Sequence, residues 1–116
     1  MMLAEQLLAN PKEFASAFNF GPSDEDAWPV ERIATKLASM WGEGAAWVCD
    51  EAPHVHEDHY LRLDASRARS ELGWQPRLKI EMALEWSMNW YRSWQRGEDM
   101  KQYTLSQITS FEKLRQ

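Results

Sequence analysis

The stretch from Glu57 to Pro76 constrains this chain more than any other. Tyr60, Leu61 and Leu63 favour a short strand. Alternation sends His59, Leu61 and Leu63 to one face and Tyr60, Arg62 and Asp64 to the other. A helix follows, with Asp64 or Ser66 placed to cap it and Ala65, Ala68 and Leu72 as its apolar side. Gly73 supplies the stop, Trp74 can pack back on the helix, and Pro76 prevents continuation. Strand, capped helix, glycine stop and rigid exit thus fill one short segment.

The remainder reads mainly as helix. Leu3, Leu7 and Leu8 have helical spacing over Met1 to Ala9, and Pro11 ends that element. Phe14 to Phe20 is apolar and partly extended, with Phe18-Asn19-Phe20 alternating as a strand does. Gly21-Pro22 stops it, and Ser23 to Ala27 reads as an acidic surface loop. Pro29 suits a first helical turn. Val30, Ile33, Ala34, Leu37, Ala38 and Trp41 then form one face until Gly42. Ala45 to Cys49 reads as a short strand. Ile80 to Trp94 predicts a longer helix carrying Trp86, Trp90 and Trp94 at helical spacing, ended by Gly97. Thr104 to Leu114 predicts a last helix, with Thr104 as cap and Gln107 at the capping-box position.

Size allows one small domain in 116 residues. Hydrophobic residues reach 44%, with 7 tryptophans, so either a dense aromatic core forms or some indoles lie against a neighbour. Eighteen acidic against 13 basic residues, a net charge of -5, argue against a nucleic-acid binder, which shows a concentrated basic stripe. One cysteine excludes an intramolecular disulfide framework. There is no long apolar run and no signal-peptide pattern, so a cytoplasmic protein away from membranes is expected.

The candidate sites centre on the same region. His54, His56, Glu57, Asp58 and His59 include good metal ligands, but one local run rarely completes a tetrahedral site, so no metal is expected. A ligand-facing loop and a solvated loop both remain readings of this cluster. The strand face with Tyr60 and Arg62 offers a hydroxyl and a cation to a phosphate or sugar, or else faces water. Arg67 and Arg69 lie in the following helix, Arg67 near its N-terminus, where backbone N–H groups favour an anion. The alternative for both is solvated helix charge. Cys49, after Trp47 and Val48, reads as a buried packing residue. The tryptophan row reads as core or interface packing. No glycine-rich phosphate loop and no catalytic tyrosine–lysine pair is found, so no catalytic residue is assigned.

Asn19-Phe20-Gly21-Pro22, and Leu63-Asp64-Ala65-Ser66-Arg67-Ala68-Arg69-Ser70-Glu71-Leu72-Gly73-Trp74-Gln75-Pro76 with its Leu-Gly-Trp ending, resemble the C-terminal part of extended short-chain dehydrogenase/reductases acting on nucleotide sugars. Asp24-Glu25-Asp26, Trp41-Gly42, His59-Tyr60-Leu61 and Gly97-Glu98-Asp99-Met100 are similar to the CDP-glucose 4,6-dehydratase subgroup. The resemblance spans roughly Leu3 to Glu112. It implies a lyase that uses and regenerates NAD, with the glycine-rich loop and Tyr–Lys pair in a cofactor domain outside this chain. Relatives that take dTDP- and UDP-sugars carry a diphosphate-binding arginine where this sequence has His59 and Tyr60.

The expectation is therefore a mixed α/β lobe: the C-terminal substrate-binding part, residues 1–116, of a Rossmann-type enzyme, with a tail helix within 98–116. His56, Glu57, His59, Tyr60, Arg62 and Arg67 are its expected substrate-binding residues, and CDP-glucose or a related sugar nucleotide its ligand. No cofactor is expected on this chain alone, and its expected protein contacts are the cofactor domain or a second copy. A helical protein-interaction module and a fragment of another nucleotide-sugar epimerase or dehydratase are the alternatives.

Overall fold

Helices supply the regular structure of this chain, which a computed structural model describes over residues 1–50 and 63–114. In chain order they are α1 (Met2–Ala9), α2 (Pro11–Phe14), a 3₁₀ turn (Asp24–Asp26), α3 (Val30–Trp41), α4 (Ser66–Leu72), α5 (Ile80–Gln95) and α6 (Met100–Lys113). Pro11 does not only end α1: its fixed φ and missing N–H suit the first position of α2. Phe14 closes that single turn and is buried.

Phe14, Ala68 and Leu72 form the buried centre of a small core, with Leu3, Leu7, Phe18 and Trp74 packed around it. The chain reaches this arrangement through local signals. Gly73 stops α4 at φ 62°, where a Cβ would be strained, and the Gly73 and Trp74 N–H groups both donate to the Ala68 carbonyl. That turn folds the Trp74 indole back, where Phe20 meets it edge-on at 5.1 Å between ring centres.

A second region joins α3, α5 and α6. Arg92 on α5 donates from Nη2 to the Met40 carbonyl at 2.8 Å and also to the Trp41 carbonyl. These are last-turn carbonyls of α3 with no helical partner, and a cation there opposes the negative end of the helix dipole. Trp90 Nε1 donates to Thr104 Oγ1 at 3.0 Å, and Gln107 Nε2 to the Trp86 carbonyl at 2.9 Å, tying α6 along α5. The cap of α6 is Asp99, which accepts from the Lys101 and Gln102 N–H groups. Thr104, expected as that cap, sits one turn inside the helix and donates to the Met100 carbonyl. Asp99 wins because it is an equally good cap standing directly after the Gly97 turn, so the helix starts one turn earlier.

The described residues contain no strand, unlike the mixed α/β lobe expected. Phe18–Phe20 and Ala45–Cys49 were expected to be strands and are irregular here. Alternating side chains make a strand possible, but its N–H and C=O groups need a neighbouring ladder. Near Phe20 the contacts are from side chains instead. Asn19 Nδ2 donates to the Asp64 carbonyl at 3.3 Å, and a Cβ on Gly21 would stand 3.3 Å from Leu63 Cβ. Between Ala45 and Cys49 the anchor is Trp47 Nε1, which donates to Thr35 Oγ1 at 3.1 Å, while Val48 is 90% exposed. Cys49 is exposed too, not buried as expected, and its Sγ donates to the Asp50 carbonyl at 3.8 Å.

Candidate functional site

Five of the six expected substrate-binding residues, His56, Glu57, His59, Tyr60 and Arg62, lie outside the described residues, as do His54 and Asp58 of the possible metal run. The described geometry is that of the junction beside them, where residues 17–22 meet residues 63–69. Sequence alternation and the Asp64 cap signal brought one side of this junction into view. The other side is brought to it by two arginines.

Arg67 is the sixth expected residue, and its guanidinium is held by one partner on its own helix and by the distant segment at Ala17 and Phe18. Its Nε lies 2.8 Å from Glu71 Oε1, one turn along α4, and its Nη1 donates to the Ala17 carbonyl at 3.1 Å. The guanidinium also stacks over Phe18, 4.4 Å from the ring centre. The Glu71 hydrogen bond raises the Arg67 pKa further, opposed by desolvation and helped by the Glu71 charge. Arg69 reaches the Pro22 carbonyl from Nη2 at 3.4 Å. The two side chains hold the irregular segment 17–22 against α4. A diphosphate would have to displace these bonds.

The anion reading of the α4 N-terminus meets a second obstacle. The Ser66 N–H donates to Asp64 Oδ1 at 2.8 Å, so a carboxylate already fills that position. The Ser66 hydroxyl and then its N–H hold the Asp64 carboxyl below its ordinary value, with Arg69 helping and burial opposing. The same device recurs at α5 and α6. Asp26 Oδ1 accepts from the Ile80 N–H at 3.2 Å at the start of α5, and Asp99 serves α6. At α4, α5 and α6 an aspartate thus already takes an N-terminal N–H group to which a pyrophosphate could bind. Among them, no group of three or more His, Cys, Asp or Glu residues could hold a metal, and no helix is long and apolar enough to cross a membrane.

Asp26 is the residue that sequence reasoning placed least well. Its run with Asp24 and Glu25 suggested a solvated loop, yet Asp26 is only 7% exposed. Ser23 Oγ donates to its Oδ2 at 2.7 Å. Lys79 lies 3.0 Å from Glu25 and 3.9 Å from Asp26. The Ser23–x–x–Asp26 spacing was the visible clue, but the second partner, Ile80, is 54 residues away.

Two open grooves flank α5. One, of about 490 Å³, runs between α5 and α6 over Trp86, Trp90, Tyr91 and Gln107. The other, of about 420 Å³, lies beside α3 over Trp28, Arg32, Lys36 and Glu81. Arg32 covers the Trp28 ring at 3.5 Å, so that indole face is already taken.

No family model matches the chain. Among curated proteins it is similar to a dehydratase of nucleotide sugars, the class that the Leu-Gly-Trp motif and its glycine-stopped helix suggest. That relative is the CDP-glucose 4,6-dehydratase of Salmonella typhimurium (strain LT2), 41% identical over 100 residues. The match takes in 86% of this chain and 28% of the relative, so the chain spans little more than a quarter of that enzyme's length. A continuous match of 100 residues within 116 has to include residues 17–100. Both the Asn19-to-Pro22 turn and the Leu63-to-Pro76 motif lie inside it. The whole junction described above therefore lies inside the matched region.

Proposed function

We propose that this chain is the C-terminal, nucleotide-sugar-binding lobe of a CDP-glucose 4,6-dehydratase, the enzyme that converts CDP-glucose to CDP-4-keto-6-deoxyglucose for deoxysugar synthesis. The observation that carries this reading is the 41% identity over a 100-residue match that includes both junction motifs. In the whole enzyme, bound NAD supplies the hydride acceptor and donor. It belongs to the Rossmann-type domain that carries the glycine-rich loop and the Tyr–Lys pair. The carboxylate-filled helix ends of this chain favour that division of labour.

What these residues do is bind and orient. His56, Glu57, His59, Tyr60 and Arg62 form the nucleotide-side segment, entering the lobe at Leu63. Asn19, Arg67 and Arg69 hold the segment's exit against residues 17–22. On this reading Arg67 acts by positioning rather than by touching the diphosphate. The complete enzyme is an α/β protein that works in the cytoplasm. Alone, the chain turns nothing over, because hydride transfer needs a held nicotinamide and a base.

The test is a hybrid in which this chain replaces the matched 100 residues of the Salmonella enzyme. The hybrid should dehydrate CDP-glucose with NAD and ignore UDP-glucose. A folded hybrid that binds NAD yet leaves CDP-glucose untouched overturns the reading. Calorimetric titration of the chain itself with CDP-glucose, CDP and UDP-glucose then measures how much of the recognition resides in this lobe.

A further inference from the structure

Gly42, Gly44, Gly73 and Gly97 each have a positive φ that a side chain would strain. Gly21 is the remaining glycine of the chain, and its φ lies outside that region. What excludes a side chain at Gly21 is another part of the chain. Gly21 is buried, and a Cβ there would stand 3.3 Å from Leu63 Cβ and 3.5 Å from the Leu63 carbonyl oxygen. Carbon atoms pack best at about 3.5–4.0 Å, so an added methyl group pushes Leu63 away by a few tenths of an ångström. A Cβ is fixed to its own backbone, so no rotamer of Leu63 relieves this contact.

The surroundings decide which way the displacement runs. Residues 17–22 are held from behind. Arg67 Nη1 donates to the Ala17 carbonyl at 3.1 Å, Arg69 Nη2 to the Pro22 carbonyl at 3.4 Å, and Phe20 meets the Trp74 ring edge-on. The chain after Leu63 is held as well. The Asp64 carbonyl accepts from Asn19 Nδ2 at 3.3 Å, its carboxylate accepts from the Ser66 N–H at 2.8 Å, and Ala65 is buried. Leu63 itself is 61% exposed. A push from position 21 is therefore taken up at Leu63 and passed to the peptide before it, which joins Leu63 to Arg62.

We infer that Gly21 is a positioning residue for sugar-nucleotide binding: the absence of a side chain there fixes where Leu63 lies, and with it the point at which the binding residues ending in Arg62 join the lobe. This rests on the proposed function and adds to it a position outside the binding segment that sets the segment's affinity. A displacement of about 1 Å can cost about 10²-fold, so a few tenths of an ångström correspond to about fourfold.

The test is Gly21→Ala in the Salmonella hybrid, read as separate KM and kcat for CDP-glucose. KM should rise about fourfold with kcat changed by less than about twofold, the pattern of lost binding that substrate and transition state share. Two comparisons separate position from stability. Gly73→Ala adds the same methyl group with no atom within 4 Å of it, strains only its own backbone, and should leave KM unchanged. In a Leu63→Gly background the opposing Cβ is gone, and adding Gly21→Ala should raise KM by less than about twofold. Leu63→Gly alone removes an exposed side chain, so it tests the same contact where Gly21→Ala fails to fold by circular dichroism. It should raise KM, and an unchanged KM overturns the inference. So does a KM rise under about twofold in Gly21→Ala, an equal rise in Gly73→Ala, or a full rise that persists without the Leu63 Cβ. Each of these results comes from an active hybrid and leaves the function standing. A hybrid that folds and binds NAD but never dehydrates CDP-glucose removes the function, and this inference with it.

Discussion

Asp26→Ala is the substitution that most directly tests how the two helical regions hold together. Asp26 accepts from the Ser23 hydroxyl and the Ile80 N–H, and is almost wholly buried. A hydrogen bond to a charged group contributes about 1.5–3 kcal/mol, and a lost helix cap costs about 0.5–2 kcal/mol. The Ile80 bond is itself the cap, so these overlap, and the expected loss is about 2–3 kcal/mol. The neighbouring ion pairs do not carry it. Lys79 and Glu25 are 67% and 83% exposed, and exposed pairs contribute about 0–1 kcal/mol. Lys79→Met should therefore cost well under half as much. The assay is urea unfolding followed by tryptophan fluorescence, at about pH 7 and about pH 3. The Ser23 hydrogen bond first, then the Ile80 N–H and Lys79, hold the Asp26 carboxyl below its ordinary 3.8, with burial opposing. A depressed folded pKa contributes stability that is complete above the unfolded value and is lost as pH falls through the folded one. The gap between the natural chain and Asp26→Ala is thus full at neutral pH and narrows below pH 3.8. A loss under about 0.5 kcal/mol at neutral pH, or a gap equally wide in acid, would refute the reasoning.

Arg92→Ala should cost about 1.5–3 kcal/mol in the same unfolding assay, because it strips two α3 carbonyls of a charged donor, and Arg92→Lys should recover only part. A loss fully restored by lysine would mean that charge alone, not the forked guanidinium, carries the contact. Gly73→Ala forces a Cβ into φ 62° with no atom within 4 Å of it, so the cost is backbone strain alone, about 1 kcal/mol. Thermal unfolding should show it as a lower midpoint with helix content unchanged, and no shift would contradict the left-handed stop.

The helices were legible in the chain because their signals are local. Val30 to Trp41 repeats its apolar side chains at helical spacing and meets Gly42, and Ile80–Gln95 does the same before Gly97. Ser66–Leu72 is bounded by an aspartate and a glycine that need no distant partner to work. The start of α6 was not legible: Thr104 is the expected cap, and Asp99, one turn earlier, takes that place. The Leu-Gly-Trp motif carried the family resemblance for the same reason: it is a helix stop followed by a packing residue, complete within a few positions.

Tertiary structure decided everything that depends on a remote partner. Arg67 reads as a free cation near a helix N-terminus until Ala17, 50 residues earlier, takes its guanidinium. Asp26 reads as surface charge until Ile80 arrives. Phe18-Asn19-Phe20 alternates as a strand, but alternation fixes only which side chains share a face. The ladder needs a neighbour, and here Asn19 reaches Asp64 by its side chain instead. Helix caps and glycine stops are settled within one turn of backbone. Ion pairs, buried carboxylates and sheets are settled only when the chain has folded far enough to bring their partners within hydrogen-bonding distance.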